Sequence, residues 1–332
     1  MKYLVTGGAG FIGSNFISYI LNNYPDAELV CLDSLTYAGN VSNFAGFDKC
    51  RFTFEYADIC DRERVFELTE RYMPDFIVNF AAESHVDRSI LYPTAFVSTN
   101  VLGTANLLDA AKQFKISRFH QVSTDEVYGD VDAPHFSVES DTLCPSSPYS
   151  ASKASADMLV LSYFRTFGLP VTVSRCSNNY GPGQFPEKLI PLIIYNIMND
   201  KPIGIYGNGL QCRDWLYVED HCRAVDMIIQ HGREGEIYNI GSMHTVTNLE
   251  MVDMLVSAVG RTALVDHITD RPGHDKRYAL SCDKIKGELG WTPCVDIEKG
   301  LAKTVKWYMD NRDWCEDIMN GKYIEKNKEY IK

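Results

Sequence analysis

Thr6-Gly7-Gly8-Ala9-Gly10-Phe11-Ile12-Gly13 stands between a short apolar run, Lys2 to Thr6, and an apolar periodic segment that reaches about Asn23. That order predicts strand, glycine turn and helix. Glycines 7, 10 and 13 follow a Gly-x-x-Gly-x-x-Gly spacing rather than Gly-x-Gly-x-x-Gly. The physics is shared: a tight turn, close backbone approach to a pyrophosphate, and a helix N-terminus aimed at it. A glycine pattern alone is weak, and its place between strand and helix gives it weight.

The same alternation continues outward. Glu28 to Leu32 reads as a second strand ending at Asp33. An acid there accepts hydrogen bonds from adenosine ribose hydroxyls and repels a 2′-phosphate, which favours NAD over NADP. The competing reading makes Asp33 a loop or helix-cap residue. Arg51 to Tyr56 is a third strand, closed by Ala57-Asp58-Ile59; Asp58 can meet an adenine amino group or cap the helix beginning near Asp61. Asp75 to Phe80 is a fourth, ending in Ala81-Ala82-Glu83-Ser84-His85, where small residues let a cofactor lie against backbone. His85 and Arg88 follow in a loop able to face substrate, with Asp87 at hand as an ion-pair partner for Arg88. A long helix runs from about Pro93 to Phe114. Strand and helix in alternation predict an α/β, Rossmann-type doubly wound parallel sheet, with ligands beyond the strand C-termini. Gly7, Asp33, Asp58, Ala81 and Thr124 all fall there.

The fifth strand, Arg118 to Val122, leads into Ser123-Thr124-Asp125-Glu126-Val127-Tyr128-Gly129. Adjacent carboxylates at a strand end raise each other's pKa, which puts an acid and a base side by side; the bland alternative is a solvated loop turning at Gly129. After a loop containing Pro134, Pro145 and Pro148, a helix carries Tyr149 and Lys153 to about Phe167. Residues at i and i+4 share one helix face. A lysine cation beside a phenol favours phenolate, a base usable near neutral pH.

Beyond a strand from Pro170 to Arg175 the segments shorten and the loops lengthen. Lys188, Arg213, Arg271 and Arg277 sit in or beside these loops and suit a diphosphate, or else form surface ion pairs with neighbours such as Asp214 and Asp275. The 332 residues predict one large or two smaller domains sharing a cleft, and a formal charge of -12 argues against general nucleic-acid binding. Ten scattered cysteines without a Cys-x-x-Cys pair read as small core residues in a reducing compartment and make a metal site improbable. No signal peptide and no run long enough to span a bilayer is expected, which predicts a cytoplasmic protein without membrane partners.

Thr6 to Gly13, the Tyr149/Lys153 pair and Asn178-Asn179-Tyr180-Gly181-Pro182 resemble the extended short-chain dehydrogenase/reductase superfamily of nucleotide-sugar enzymes. Within it, five stretches look like the dTDP-glucose 4,6-dehydratase family: Leu35 to Asn40, Ala81 to Ser89, Ser123 to Gly129, Arg213 to His221 and Arg271 to Asp275. Cys212 stands where members often have valine or isoleucine, and Gly204 where proline is common. The resemblance implies an NAD-binding Rossmann domain over 1–180, with later strands from about 215–240. It implies a mainly nucleotide-sugar-binding domain over 181–332, and a homodimer paired through helices near 93–114 and 149–167.

The resemblance also implies the roles. Gly7, Gly10, Phe11, Ile12, Gly13, Asp33, Ser34, Leu35 and Thr36 would hold NAD. So would Asp58, Ile59, Ala81, Ala82, Ser84, Thr99, Tyr149, Lys153 and Asn179. A nucleotide-sugar substrate would meet His85, Thr124, Asn178, Lys188 and Leu189, then Tyr206, Arg213, Asn248, Arg271 and His274. Tyr149 would take the sugar's C4 hydroxyl proton, with Thr124 bonding the C4 oxygen and Lys153 lowering the tyrosine pKa. Glu126 would remove the C5 proton and Asp125 would protonate the departing C6 hydroxyl.

Overall fold

The computed structural model describes residues 1–270 and 272–331. Seven strands form one parallel sheet: β1 (Lys2–Thr6), β2 (Glu28–Asp33), β3 (Phe52–Tyr56), β4 (Phe76–Asn79), β5 (Arg118–Thr124), β6 (Val171–Cys176) and, after three strands placed elsewhere, Glu236–Ile240. Their order across the sheet is Glu236–Ile240, β6, β5, β4, β1, β2, β3. The order reverses at the β1–β4 contact, where Val5 lies level with Cys31 on one side and Val78 on the other. Such a switch point opens a crevice above the strand ends.

The inner strands β1, β2, β4, β5 and β6 are buried on both faces, as a parallel sheet requires, while the edge strand β3 is partly open. Tyr3 and Val5 pack with Phe16, Ile17, Val225 and Ile228 from helices Phe11–Asn23 and Val218–His231. Leu4, between them, points the other way onto Val65, Leu68, Leu107 and Val160. The expected long helix is helical throughout, but its middle turns, Val97–Gly103, are π-helical between Pro93–Phe96 and Thr104–Gln113.

The remaining strands are β7 (Asn178–Tyr180), β8 (Ile203–Tyr206) and β9 (Cys212–Tyr217). After Glu236–Ile240, which is β10, come β11 (Thr245–Thr247) and β12 (Val265–Ile268). Of the stretch expected to return to the main sheet, only β10 does so. β9 instead pairs with β7 and β11, while β8 pairs with β12. A separate core of Ile190, Ile193, Ile205, Trp215, Leu255 and Leu301 lies under these short strands. No helix among the described residues is long and apolar enough to cross a membrane.

Candidate active site

β5 delivers the carboxylate pair. Its last residue, Thr124, caps the 3-10 turn Asp125–Tyr128 by accepting from the Asp125 amide at 3.3 Å. The turn is pinned from behind: Val127 and Tyr128 pack with Ala154 and Leu280, and Gly129 leaves at φ +78°. Asp125 is 3% exposed and Glu126 is half-buried, both on the wall of a cleft with a volume of about 340 Å³. Burial, followed by the charge of Glu126, pushes the Asp125 carboxyl well above the usual carboxylate range, while Arg213 opposes the shift. Its Oδ2 has no hydrogen-bond partner among the described residues. A buried carboxyl that keeps its proton at the edge of a cleft is equipped to act as a general acid.

Helix Pro148–Phe167 packs directly against this turn and lines the same cleft. Ser147 and Ser150 cap it reciprocally, and Pro148 opens its first turn. Tyr149 and Lys153 therefore share one face and both line the cleft. Lys153 Nζ donates to the Val122 carbonyl at 2.6 Å, and burial lowers the lysine pKa while Asp157 supports the charge. Burial and then the charge of Glu126 push the Tyr149 hydroxyl well above its ordinary value; the hydrogen bond with Thr124 pulls it down. Thr124 is thus a partner that eases ionisation of this phenol.

The cleft continues over the ends of β1 to β4. Gly7 has φ +68°, and a Cβ there would sit 2.6 Å from the Ala81 amide nitrogen. At Gly13 a Cβ would run into the Gly7 carbonyl and lie 2.8 Å from Gly8 Cα. Gly10 precedes helix Phe11–Asn23 without any side-chain cap, so the first-turn amides stay open. Open amides above a turn that only glycine can form fit a pyrophosphate. Asp33, 8% exposed, accepts from the Ala9 amide at 2.9 Å and the Leu35 amide at 2.8 Å. Burial raises its pKa against the pull of those two amides. It is neither a loose loop residue nor a helix cap; it fastens the glycine turn to the end of β2.

Phe11, Ile12, Ser34, Thr36, Ile59, Ala81, Ala82, Ser84 and Thr99 line the same cleft. So does Asp58, which accepts from the Cys60 amide at 2.8 Å, while the cap of helix Arg62–Tyr72 is Asp61. Leu35 does not: its side chain packs with Ala9 and Val41. Asn178, Asn179 and Lys188 close a further side. The Asn179 amide donates to the Ser177 carbonyl at 3.0 Å, so its oxygen faces His221 Nδ1 at 2.9 Å. His221 is fully buried and kept neutral by that burial, its pKa pushed down to about 3.

His85 stands just outside, its ring 6.4 Å from Tyr37 and its Nε2 3.7 Å from Glu187. Arg88 lies over the Tyr37 ring at 4.4 Å. The other described residues expected to meet substrate are not part of this lining. Leu189 opens helix Leu189–Met198. Tyr206 donates to Asp87 at 3.3 Å, joining the β8 region to the large sheet's side. His274 Nδ1 lies 2.6 Å from Asp270, and the Asn248 amide donates to the Gln211 carbonyl at 3.1 Å. Arg213, only 6% exposed, donates to the carbonyls of Cys212 at 2.8 Å and Asp275 at 2.9 Å and covers the Tyr278 ring. Asp214 accepts from Ser242 and Met243, so these neighbours do not form the surface pair their adjacency suggests. Arg277 donates to the His135 carbonyl at 2.6 Å. Arg271 lies outside the described residues.

Sequence reasoning left several lining residues out, among them Tyr37, Glu83, Cys176, Gln184 and Phe185. Tyr37 sits inside a stretch already singled out, whereas Cys176 resembles any small core residue. Asn100, in the π-helical turns, was also unforeseen. Its side chain bonds both the amide and the carbonyl of Glu83, and Ser152, at 2.8–3.0 Å. An asparagine in an apolar helix is the only sequence cue to it.

A switch-point crevice with an open glycine turn on one side and a tyrosine–lysine helix on the other defines a short-chain dehydrogenase/reductase type of enzyme. Comparison with known proteins narrows the class. A family model described as GDP-mannose 4,6 dehydratase matches residues 4–304. A dTDP-glucose 4,6-dehydratase of Salmonella typhimurium is 47% identical over 99% of both chains. The crystal structure of a dTDP-glucose 4,6-dehydratase from Streptomyces venezuelae, with NAD and TYD bound, superposes with a TM-score of 0.92. It is 47% identical and covers 96% of this chain and 100% of its own. A UDP-glucose 4-epimerase from Thermus thermophilus in complex with NAD reaches a TM-score of 0.88 at 30% identity, over 94% of this chain and 100% of that one. The chain belongs to the dTDP-glucose 4,6-dehydratase family.

Proposed function

We propose that the protein converts dTDP-glucose to dTDP-4-keto-6-deoxyglucose by removing water across C5 and C6. The observation that carries this reading is Asp125: a buried carboxyl, its pKa raised by burial and by Glu126, lining the same cleft as Tyr149. An epimerase that only oxidises and re-reduces C4 needs no such acid, so the carboxylate pair marks the elimination.

The C6 hydroxyl leaves an unactivated carbon, and oxidation at C4 acidifies the neighbouring C5–H. Tyr149, beside Thr124, accepts the C4 hydroxyl proton. Glu126, half-buried on the cleft wall, removes the C5 proton and gives it back to C5 when C6 is reduced. Asp125 gives its proton to the departing C6 hydroxyl. Lys153, held by the Val122 carbonyl, keeps a positive charge under the tyrosine's turn of helix. Gly7, Gly10, Gly13, Asp33 and their neighbours would hold NAD, which when bound would supply hydride acceptance from C4 and its return to C6. Asn179, fixed by His221, completes that cradle.

Two further parts belong to the proposal. Val97, Leu102 and Met158 are 55%, 55% and 61% exposed on the helices near 93–114 and 149–167. Three large apolar side chains on adjoining helices support a homodimer through this face. All ten cysteines are free, in keeping with a cytoplasmic protein. The test of function is incubation with a panel of nucleotide sugars and mass analysis. The expected product of dTDP-glucose is lighter by one water. A product of unchanged mass would point to epimerisation, and conversion of another nucleotide sugar alone would overturn the substrate.

A further inference from the structure

The chain beyond the long helix Ile297–Asp310 returns across the molecule to the cofactor side. Its two short helices, Arg312–Met319 and Lys322–Lys328, lie past residue 304, where the family match ends. They meet the segment 36–43 that follows β2. Asn327, 3% exposed, makes both of its bonds there: its Nδ2 donates to the Gly39 carbonyl at 2.7 Å and its Oδ1 accepts from the Val41 amide at 3.1 Å. The Tyr323 hydroxyl donates to the Tyr37 carbonyl at 2.7 Å, and its ring packs 5.8 Å from Phe185. Trp314 donates to the Asn43 side chain at 3.1 Å.

That segment is itself part of the cleft. Thr36, Tyr37, Ala38 and Gly39 line it. It is also bonded to the glycine turn: the Asn40 amide and the Asn43 side chain both donate to the Ala9 carbonyl, at 3.0 and 2.9 Å. A line of hydrogen bonds therefore runs from Trp314, Tyr323 and Asn327 through segment 36–43 to the turn whose open amides suit a pyrophosphate.

We propose that these C-terminal helices strap segment 36–43 in place, and that Asn327 and Tyr323 are positioning residues that set how firmly NAD is retained. The inference rests on the cofactor reading given above. Neither residue touches the reacting atoms. Each removes freedom from a wall that must otherwise be ordered when the dinucleotide binds.

The test uses the full chain with Asn327→Leu and, as a milder change, Tyr323→Phe. Bound NAD is measured after purification by acid release and chromatography, and its dissociation rate is measured by exchange against labelled NAD. Loss of a buried hydrogen bond at this wall is expected to speed dissociation roughly five- to tenfold in each variant. Added NAD is expected to bring turnover to within about twofold of the parent, so the loss appears in NAD affinity rather than in kcat. Unaltered NAD content and exchange in Tyr323→Phe, with parental melting, would overturn the inference alone. A parent protein that neither carries NAD nor takes it up would overturn the cofactor reading and the inference with it.

Discussion

Asp125 and Glu126 are neighbours in the chain with different surroundings, and that difference assigns their work. Asp125 is closed off from solvent and its pKa is raised by that burial; Glu126 opens onto the cleft. Replacing Glu126 by Gln is expected to leave C4 oxidation intact and to slow water loss by about 10²–10⁴-fold. Reduced nicotinamide should then accumulate on the enzyme, visible by absorbance; normal turnover would remove Glu126 from the C5 step. Asp125→Asn tests the acid in two ways. The reaction should slow over a similar range and lose the fall in rate that the parent shows as pH rises through the raised pKa. Stability should respond in the same sense. Because the Asp125 pKa is raised on folding, its contribution is fully present below the ordinary aspartate range and is lost as pH rises through the folded value. The Asn variant lacks that loss. Its melting temperature relative to the parent should be higher at pH 8, with the gap closing on acidification.

At the scale of elements, the glycine turn and the two helices facing it carry the site. Gly13→Ala places a Cβ against the Gly7 carbonyl, so turn and helix must separate. Bound NAD is expected to fall on the order of tenfold to a hundredfold, measured as dissociation of purified complex, with the sheet still folded by circular dichroism. This part of the molecule was largely legible in the sequence. Each strand end is marked by residues whose chemistry is local: a glycine that must adopt positive φ, an acid after β2, a polar run after β5. What was not legible came from contacts distant in sequence. Nothing near Lys153 announces that the Val122 carbonyl accepts a hydrogen bond from its ammonium, and nothing near Arg213 announces that the segment after Gly273 supplies carbonyls to its guanidinium. Charge on a loop predicted availability; the fold had already committed it.

At the scale of the molecule, the two cores divide the labour. The sheet side positions the reacting groups, and the side built on β7, β8, β9, β11 and β12 was the harder half to read. Three-residue strands such as Thr245–Thr247 leave no periodic trace, and their partners lie far off in the chain. The face with Val97, Leu102 and Met158 makes a prediction about assembly. Leu102→Glu with Met158→Glu buries like charges in the proposed homodimer and should raise its dissociation constant by a factor of about a hundred or more. Light scattering across a dilution series reads this directly; an unchanged mass at all concentrations would move the interface elsewhere.

Asp33 ties these scales together and limits what can be done to the protein. Its two oxygens already accept the Ala9 and Leu35 amides, out of solvent. An acid here disfavours a 2′-phosphate, so admitting NADP would begin with its replacement. Here the same substitution would strand a buried donor on the phosphate turn. A switch to NADP therefore requires a second change that gives the Ala9 amide a new acceptor, and screening position 33 alone should return variants that have lost both cofactors.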